Sequence, residues 1–318
     1  MAPACHDQEV GRRAWVLFAL LSSFWGASYM FIKIGLDDGL PAPAIVFWRT
    51  ALAAAVLLPI AARMGALADI RSRLAPVALL AAVQVAGPFL LITFGERHIS
   101  SSLTGILVAT APIFTYVLAF AIAGEERATR IGLIGVGIGL AGVILLLGLD
   151  TSGSAAAIVG GLMVILASLG YALGSYYLKR RFAGTKPVGV VAATMSASAL
   201  MTAPFTALDL PASTPGAGSI AAVSALGVIG TGVAFVIFYE LIASVGATKA
   251  TLVAYVAPGF AVIYGVLLLG EHFTAATVVG LVLIVAGSWI AAEGRIPPLA
   301  GWRRAVTDDA AYAERAAS

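Results

Sequence analysis

The chain has 318 residues, 60% of them hydrophobic and 11% charged, with a mean hydropathy of +0.99. A soluble domain is about 45–50% apolar and about 25% charged, so the composition excludes a soluble protein and makes lipid the solvent. The formal net charge of +3 does not point to nucleic acid, because the basic residues are scattered over short loops with no aromatic-basic surface.

A membrane-crossing helix needs about 20 apolar residues to cover a core about 30 Å thick. Windows of this kind predict ten spans, near 14–35, 43–62, 75–95, 100–123, 131–149, 157–179, 188–208, 219–242, 248–269 and 274–293. The first follows Arg12 and Arg13 and resembles a signal peptide's basic start. It is uncharged from Ala14 to Ile32, with no clear small-x-small cleavage site after it, and reads as a retained span. The windows 131–149 and 188–208 are rich in Gly and Ala, which suits close helix packing. Loops are short throughout, and Pro297 and Pro298 end the last helix.

Orientation follows from the Lys and Arg placement. With the N-terminus in the cytoplasm, only Lys33, Arg49 and Arg97 of the 19 basic residues lie towards the outside, which leaves 19 − 3 = 16 inside. The outer loops carry Asp37, Asp38, Glu96, Asp150, Asp209 and Glu271. Both termini are therefore expected in the cytoplasm, with 1–13 and 295–318 as tails.

One stretch occurs twice. Ala111-Pro112, Gly124-Glu125, Gly135 and Ala141-Gly142 are matched by Ala257-Pro258, Gly270-Glu271, Gly280 and Ala286-Gly287. Pro112 and Pro258 are 146 residues apart, as are Trp25 and Tyr171, Tyr29 and Ser175, and Lys33 and Lys179. The repeats are then 14–150 and 151–294, each of five spans. Five is odd, so the second repeat would enter from the opposite face, with any substrate site between the halves near the midplane.

These residues resemble the drug/metabolite transporter superfamily, and within it the EamA-like ten-helix bacterial permeases. Phe24-Trp25-Gly26 with Lys33, Phe47-Trp48-Arg49, and the two Pro…Gly-Glu signatures carry the resemblance over roughly 14–293. It implies an all-α bundle of two inverted five-helix repeats around a central cavity, lined largely by spans 1, 3, 4, 6, 8 and 9. It also implies export of amino acids or other small metabolites. The second half departs from the pattern, with Tyr171-Ala172 in place of Trp-Gly and Thr194-Met195 opposite Arg49.

The candidate cavity residues come from helical spacing. Ser22, Trp25 and Tyr29 share one face of span 1, and Ser168, Tyr171 and Ser175 repeat that spacing in span 6. They either line a cavity or act as interhelical glue. Gln84 is an amide inside an apolar run and needs partners if buried. Thr110, Thr231 and Tyr255 join the set from spans 4, 8 and 9. Pro112 and Pro258 each delete a backbone bond and free a carbonyl, either at a cavity or at a simple packing kink.

Arg49 and Glu240 are the candidates for gating or coupling. An intramembrane charge is a functional hypothesis by default, but the simpler reading has Arg49 snorkelling to the outer surface or tying down a helix end. Asp37, Asp38 or Glu96 would be its partner. Glu240 either marks the cytoplasmic boundary of span 8, sits as a titratable group at the inner mouth, or pairs with Lys249. Glu125 and Glu271 read as caps beside the next helix, after a glycine that closes the previous one; proton coupling is the alternative, disfavoured by their place at the water interface.

Cys5 is the only cysteine, and His6, His98 and His272 are far apart in sequence, so no metal site is expected. No GxxxxGK[ST] loop is present and no cofactor is expected. No obvious buried carboxylate appears, which favours facilitated movement or exchange over proton coupling. The reading is a bacterial inner-membrane permease, not an enzyme, that moves a small-molecule substrate by alternating access. Its other partner is membrane lipid, and a homodimer stays open. A scaffold or sensor and a lipid-modifying enzyme are the competing readings; no nucleophile or acid–base pair at one depth supports the latter.

Overall fold

The computed structural model describes residues 4–121, 129–150, 154–211, 213–272 and 274–293. Among them there is no strand, and ten helices are long and apolar enough to cross a membrane. They are α1 (Arg12–Asp37), α2 (Ala42–Arg63), α3 (Ala68–Gly95), α4 (Ser101–Ala119), α5 (Arg130–Gly148), α6 (Ala155–Arg181), α7 (Pro187–Leu208), α8 (Ala217–Val245), α9 (Lys249–Leu269) and α10 (Ala275–Ala292). Lipid cannot hydrogen-bond a backbone, so each apolar window closes its own ladder as a helix. Leu200, Leu267 and Ile144 are each more than two-thirds exposed, a surface suited to lipid and not to water.

Two boundaries moved. The helix of α1 begins upstream at Ala4, and α3 begins at Ala68 with a 3₁₀ turn over Ala68–Arg73. Asp69, Arg71 and Arg73 in that turn hid it from an apolar-window reading. Gly124, Glu125 and the 295–318 tail lie outside the described residues.

The helices pack mainly across the middle of the chain. α1 packs on α8 and α9, α2 on α7 and α8, α3 on α6 and α7, α4 on α6, α9 and α10, and α5 on α10. Replacing each helix by its counterpart five places along turns every one of these pairs except α4–α10 into a pair of the set. One apolar core therefore draws on both halves: Ile32, Ile45, Ile92 and Leu107 meet Val164, Leu226, Val262 and Ile284.

The tightest contact is α5 against α10. Gly135, Gly139 and Gly142 recur at i, i+4 and i+7, on one face of α5. A Cβ built at Gly287 of α10 would stand 2.7 Å from the Gly135 carbonyl oxygen and 2.7 Å from the Gly139 Cα. Only glycine lets the two backbones approach so closely.

α4 is interrupted just before Pro112. The helix stops at Val108 and resumes at Ala111. Pro112 has no N–H for the Val108 carbonyl; the Ser168 hydroxyl of α6 lies 3.4 Å from that oxygen, 3.4 Å from the Leu107 carbonyl and 3.2 Å from the Val164 carbonyl of its own helix. Ser288 of α10 donates to the next carbonyl, Ala109, at 2.6 Å. In α9 the interruption lies upstream of the proline, at Leu252, and the helix runs through Pro258 from Val253 to Leu269.

Three π-helical segments break the regular ladder among the described residues, Leu146–Asp150 at the end of α5 and a pair at Ala81–Ala86 in α3 and Val228–Val233 in α8. The segments of α3 and α8 begin 147 residues apart, on counterpart helices. Such segments are rare and often mark functional positions. Gln84 lies in one and Thr231 in the other.

Candidate functional site

Arg49 follows Ala42 by seven residues, about 10 Å along the axis of α2. It is 8% exposed and does not snorkel. Its Nε donates to Thr231 Oγ1 at 3.0 Å, and its guanidinium lies 3.6 Å from the centroid of the Phe89 ring. The hydroxyl of Thr231 in turn donates to the Leu226 carbonyl at 2.9 Å, a five-residue reach that the π segment allows. The side chain points inward because α8 and α3 offer a hydroxyl and an aromatic face there, whereas the helix surface offers only lipid. Tyr29 of α1 and Tyr171 of α6 both lie within electrostatic reach of the guanidinium. One cation from the first half is thus ringed by α1, α3, α6 and α8.

The acids proposed as partners for Arg49 are engaged elsewhere or make no contact. Asp37 pairs with Lys33 at 3.3 Å, one turn away. Asp38 accepts from the Gly216 N–H and the Ser219 hydroxyl, both at 2.7 Å. The Ser219 bond, then the Gly216 bond, hold the Asp38 carboxyl below its usual range. Glu96 lies within electrostatic reach of Arg49 but forms no ion pair with it.

Glu96 is the largest surprise. It is 0% exposed, and neither carboxylate oxygen has a hydrogen-bond partner. The sequence reads it as an outer-loop acid with no buried carboxylate in the chain; the fold instead seals it from water. It closes α3 as the residue after Gly95, and the α3–α4 connection is covered by the segment carrying Glu271. Burial pushes its carboxyl well above the usual carboxylate range, Glu271 pushes it further, Lys33 and Arg49 oppose, and Asp37 adds to the rise. The folded state therefore binds this proton more tightly than the unfolded chain, where a Glu titrates near about 4.3. Its stabilising contribution is complete below that pH and is lost as pH rises through the folded value. In detergent, the thermal midpoint of Glu96→Gln is expected to gain on that of the wild type steadily as pH is raised from 4.5 to 8.5. Parallel pH profiles for the two proteins would remove Glu96 as the cause.

Glu271 does not serve its own next helix. Thr274 already caps α10, accepting from the Thr277 N–H at 3.1 Å. Glu271 instead accepts from the Ser101 N–H at 2.7 Å, the Ser102 N–H at 3.0 Å and the Ser102 hydroxyl. It caps α4, in the other half of the chain. The turn that allows this is Gly270, in the left-handed region at φ 67°. Asp38 does the reverse, tying the start of α8 to the α1–α2 connection.

The remaining candidates separate into groups. Gln84 donates to Ser175 at 3.3 Å, which joins two of them across α3 and α6. Trp25 packs on Phe235 and Phe238 of α8, with ring centroids 6.2 and 5.3 Å away. Ser22 is fully buried and donates to the Phe18 carbonyl of its own helix at 2.8 Å. Thr110 likewise donates to the Leu107 carbonyl at 2.7 Å. Tyr255 faces α10, its ring 5.5 Å from that of Trp289. Glu240 pairs with Arg13 at the exposed starts and ends of α1 and α8, not with Lys249. A crevice of about 220 Å³ opens there, lined by Arg13, Ala14, Leu17, Glu240 and Ser244.

Sequence reasoning missed Phe89, and named Glu96 only as an outer-loop acid without its burial. Phe89 carries no polar atom to single it out. Gly95-Glu96 repeats the Gly-Glu dipeptide of Gly124-Glu125 and Gly270-Glu271, a signal that was present and unused. Among the described residues no group of three or more His, Cys, Asp or Glu is placed to hold a metal.

Ten apolar helices and a polar centre enclosed by both halves define a multi-pass membrane protein of the transporter class. The sequence profile of the EamA-like transporter family matches residues 13–148 and again residues 158–292, and the chain belongs to that family. The inner membrane transporter YedA of Escherichia coli K12, named as uncharacterized, is 31% identical over 267 residues, covering 80% of this chain and 82% of its own. An Archaeoglobus fulgidus protein named as an uncharacterized transporter is 26% identical, covering 89% of this chain and 100% of its own. A protein of Streptantibioticus cattleyicolor named as a probable terminal-alkyne amino-acid exporter is 24% identical, covering 88% and 93% respectively. One solved crystal structure shares the fold, with a TM-score of 0.64 at 20% identity over 88% of this chain and 97% of that one.

Proposed function

We propose that the protein exports small organic metabolites of the amino-acid class across the bacterial inner membrane by alternating access. The observation that carries this is the polar centre of the bundle, where Arg49 of the first half bonds to Thr231 of the second. A bond between halves in the interior is one that rocking of the halves would break and remake. The packing pairs, all but α4–α10 unchanged when the halves are exchanged, support two repeats, and five spans in each make the repeats inverted. The placement of Lys and Arg supports cytoplasmic termini. The name of the Streptantibioticus relative supports the substrate class and the direction.

Purified protein in sealed vesicles tests the reading. Flux of intact amino acids, amphiphilic drugs or bases that depends on the protein is the expected result. Absence of flux across a broad panel would favour a scaffold or sensor, and conversion of a lipid or solute would favour a membrane enzyme.

A further inference from the structure

We propose that Arg49 is the subsite for a carboxylate group on the transported solute, an inference that rests on the transport reading above. The side chain is 92% buried, since 8% is exposed, and its bonding is incomplete. Nε is taken by Thr231, and one face of the guanidinium by Phe89. The two terminal amino groups form no hydrogen bond or ion pair with any described residue. A buried cation without a counter-charge is costly in a low-dielectric interior. An anion brought into the bundle relieves that cost.

The geometry also limits which anion fits. Thr231 fixes the guanidinium plane and Phe89 blocks one face, so a ligand approaches the terminal edge. Two parallel N–H groups on that edge match the two oxygens of a carboxylate. A single guanidinium balances one negative charge, which suits a carboxylate better than a phosphate dianion. The hydroxyls of Tyr29 and Tyr171 hydrogen-bond to no described residue and stand within electrostatic reach of Arg49. They supply further donors from α1 and α6. Glu96, the acid within electrostatic reach of Arg49, is held towards its neutral form by burial and by Glu271, so it leaves the guanidinium available.

The test uses vesicles containing the full chain. Leucine, phenylalanine and threonine are offered, and separately the carboxamides of the same three, with flux read by mass spectrometry. Wild type is expected to move the acids and to discriminate against the amides. Arg49→Gln should lower acid flux roughly 100-fold while leaving any amide flux in place, and Arg49→Lys should fall between. Thr231→Val removes the bond that orients the guanidinium and should weaken acid flux about 10-fold, which keeps the test open if Arg49→Gln does not fold. Equal flux of acids and amides in wild type, or unchanged acid flux in folded Arg49→Gln, overturns the proposal. Flux of neutral or cationic solutes alone overturns it and leaves the transport reading standing. No flux of any solute ends both.

Discussion

Glu271→Ala is expected to destabilise the protein by about 2–4 kcal/mol, although it removes no apolar contact of note. The variant strips acceptors from the Ser101 and Ser102 N–H groups and from the Ser102 hydroxyl. Ser101 and Ser102 are 0% and 3% exposed, so water cannot readily replace the carboxylate. Each buried donor left alone costs about 1–3 kcal/mol, and a lost cap costs about 1 kcal/mol in ordinary settings. The thermal midpoint should fall by roughly 5 °C. Glu271→Gln keeps one acceptor oxygen and should lose less. Because the bond joins the two halves, trypsin should also cut the variant faster at the α3–α4 connection. A midpoint unchanged in Glu271→Ala would mean that the cap contributes nothing.

Gly287→Leu is expected to be more severe, leaving little or no folded protein. Even the first side-chain carbon would meet backbone atoms of Gly135 and Gly139 rather than a mobile side chain. Overpacking a tight contact typically costs about 1–3 kcal/mol, and backbone against backbone leaves nothing to rotate away. Helices in lipid are held together largely by close packing, with no hydrophobic drive to compensate. Gly137 on α5 provides the control, since a Cβ there meets no atom within 4 Å. Gly137→Leu should yield normal amounts of monodisperse protein. Equal yields from the two variants would show that the α5–α10 contact is looser than drawn.

The ten spans were legible from composition because lipid forces a simple rule on the backbone. An apolar run of sufficient length has to become a helix, whatever its neighbours do. The same rule explains where the reading was short. The 3₁₀ turn over Ala68–Arg73 is charged, and no apolar window reports it. Glycine spacing in 131–149 was also legible, since close packing needs small residues on one face. Its partner was not, because nothing in the spacing names α10.

Charges at the ends of spans were the least legible. Asp37, Asp38 and Glu96 look alike in sequence, as acids beside an apolar run. Asp38 stays at the surface and caps α8, Asp37 pairs with Lys33, and Glu96 is sealed from water. What separates them is which distant segment lies over each one. Arg49 follows the same logic: a long side chain seven residues into a helix reaches the surface or the interior with equal ease. Thr231 and Phe89 decide the matter.

The sequence by itself determined the solvent, the ten helices, their order and the duplication, since these follow from local hydrophobicity and repeated spacing. The tertiary structure alone decided which polar groups lose their water, and therefore that Arg49 and Glu96 are interior ionisable groups while Glu240 is not. Burial is a property of pairs of segments far apart in the chain. Its electrostatic cost arises only when they meet.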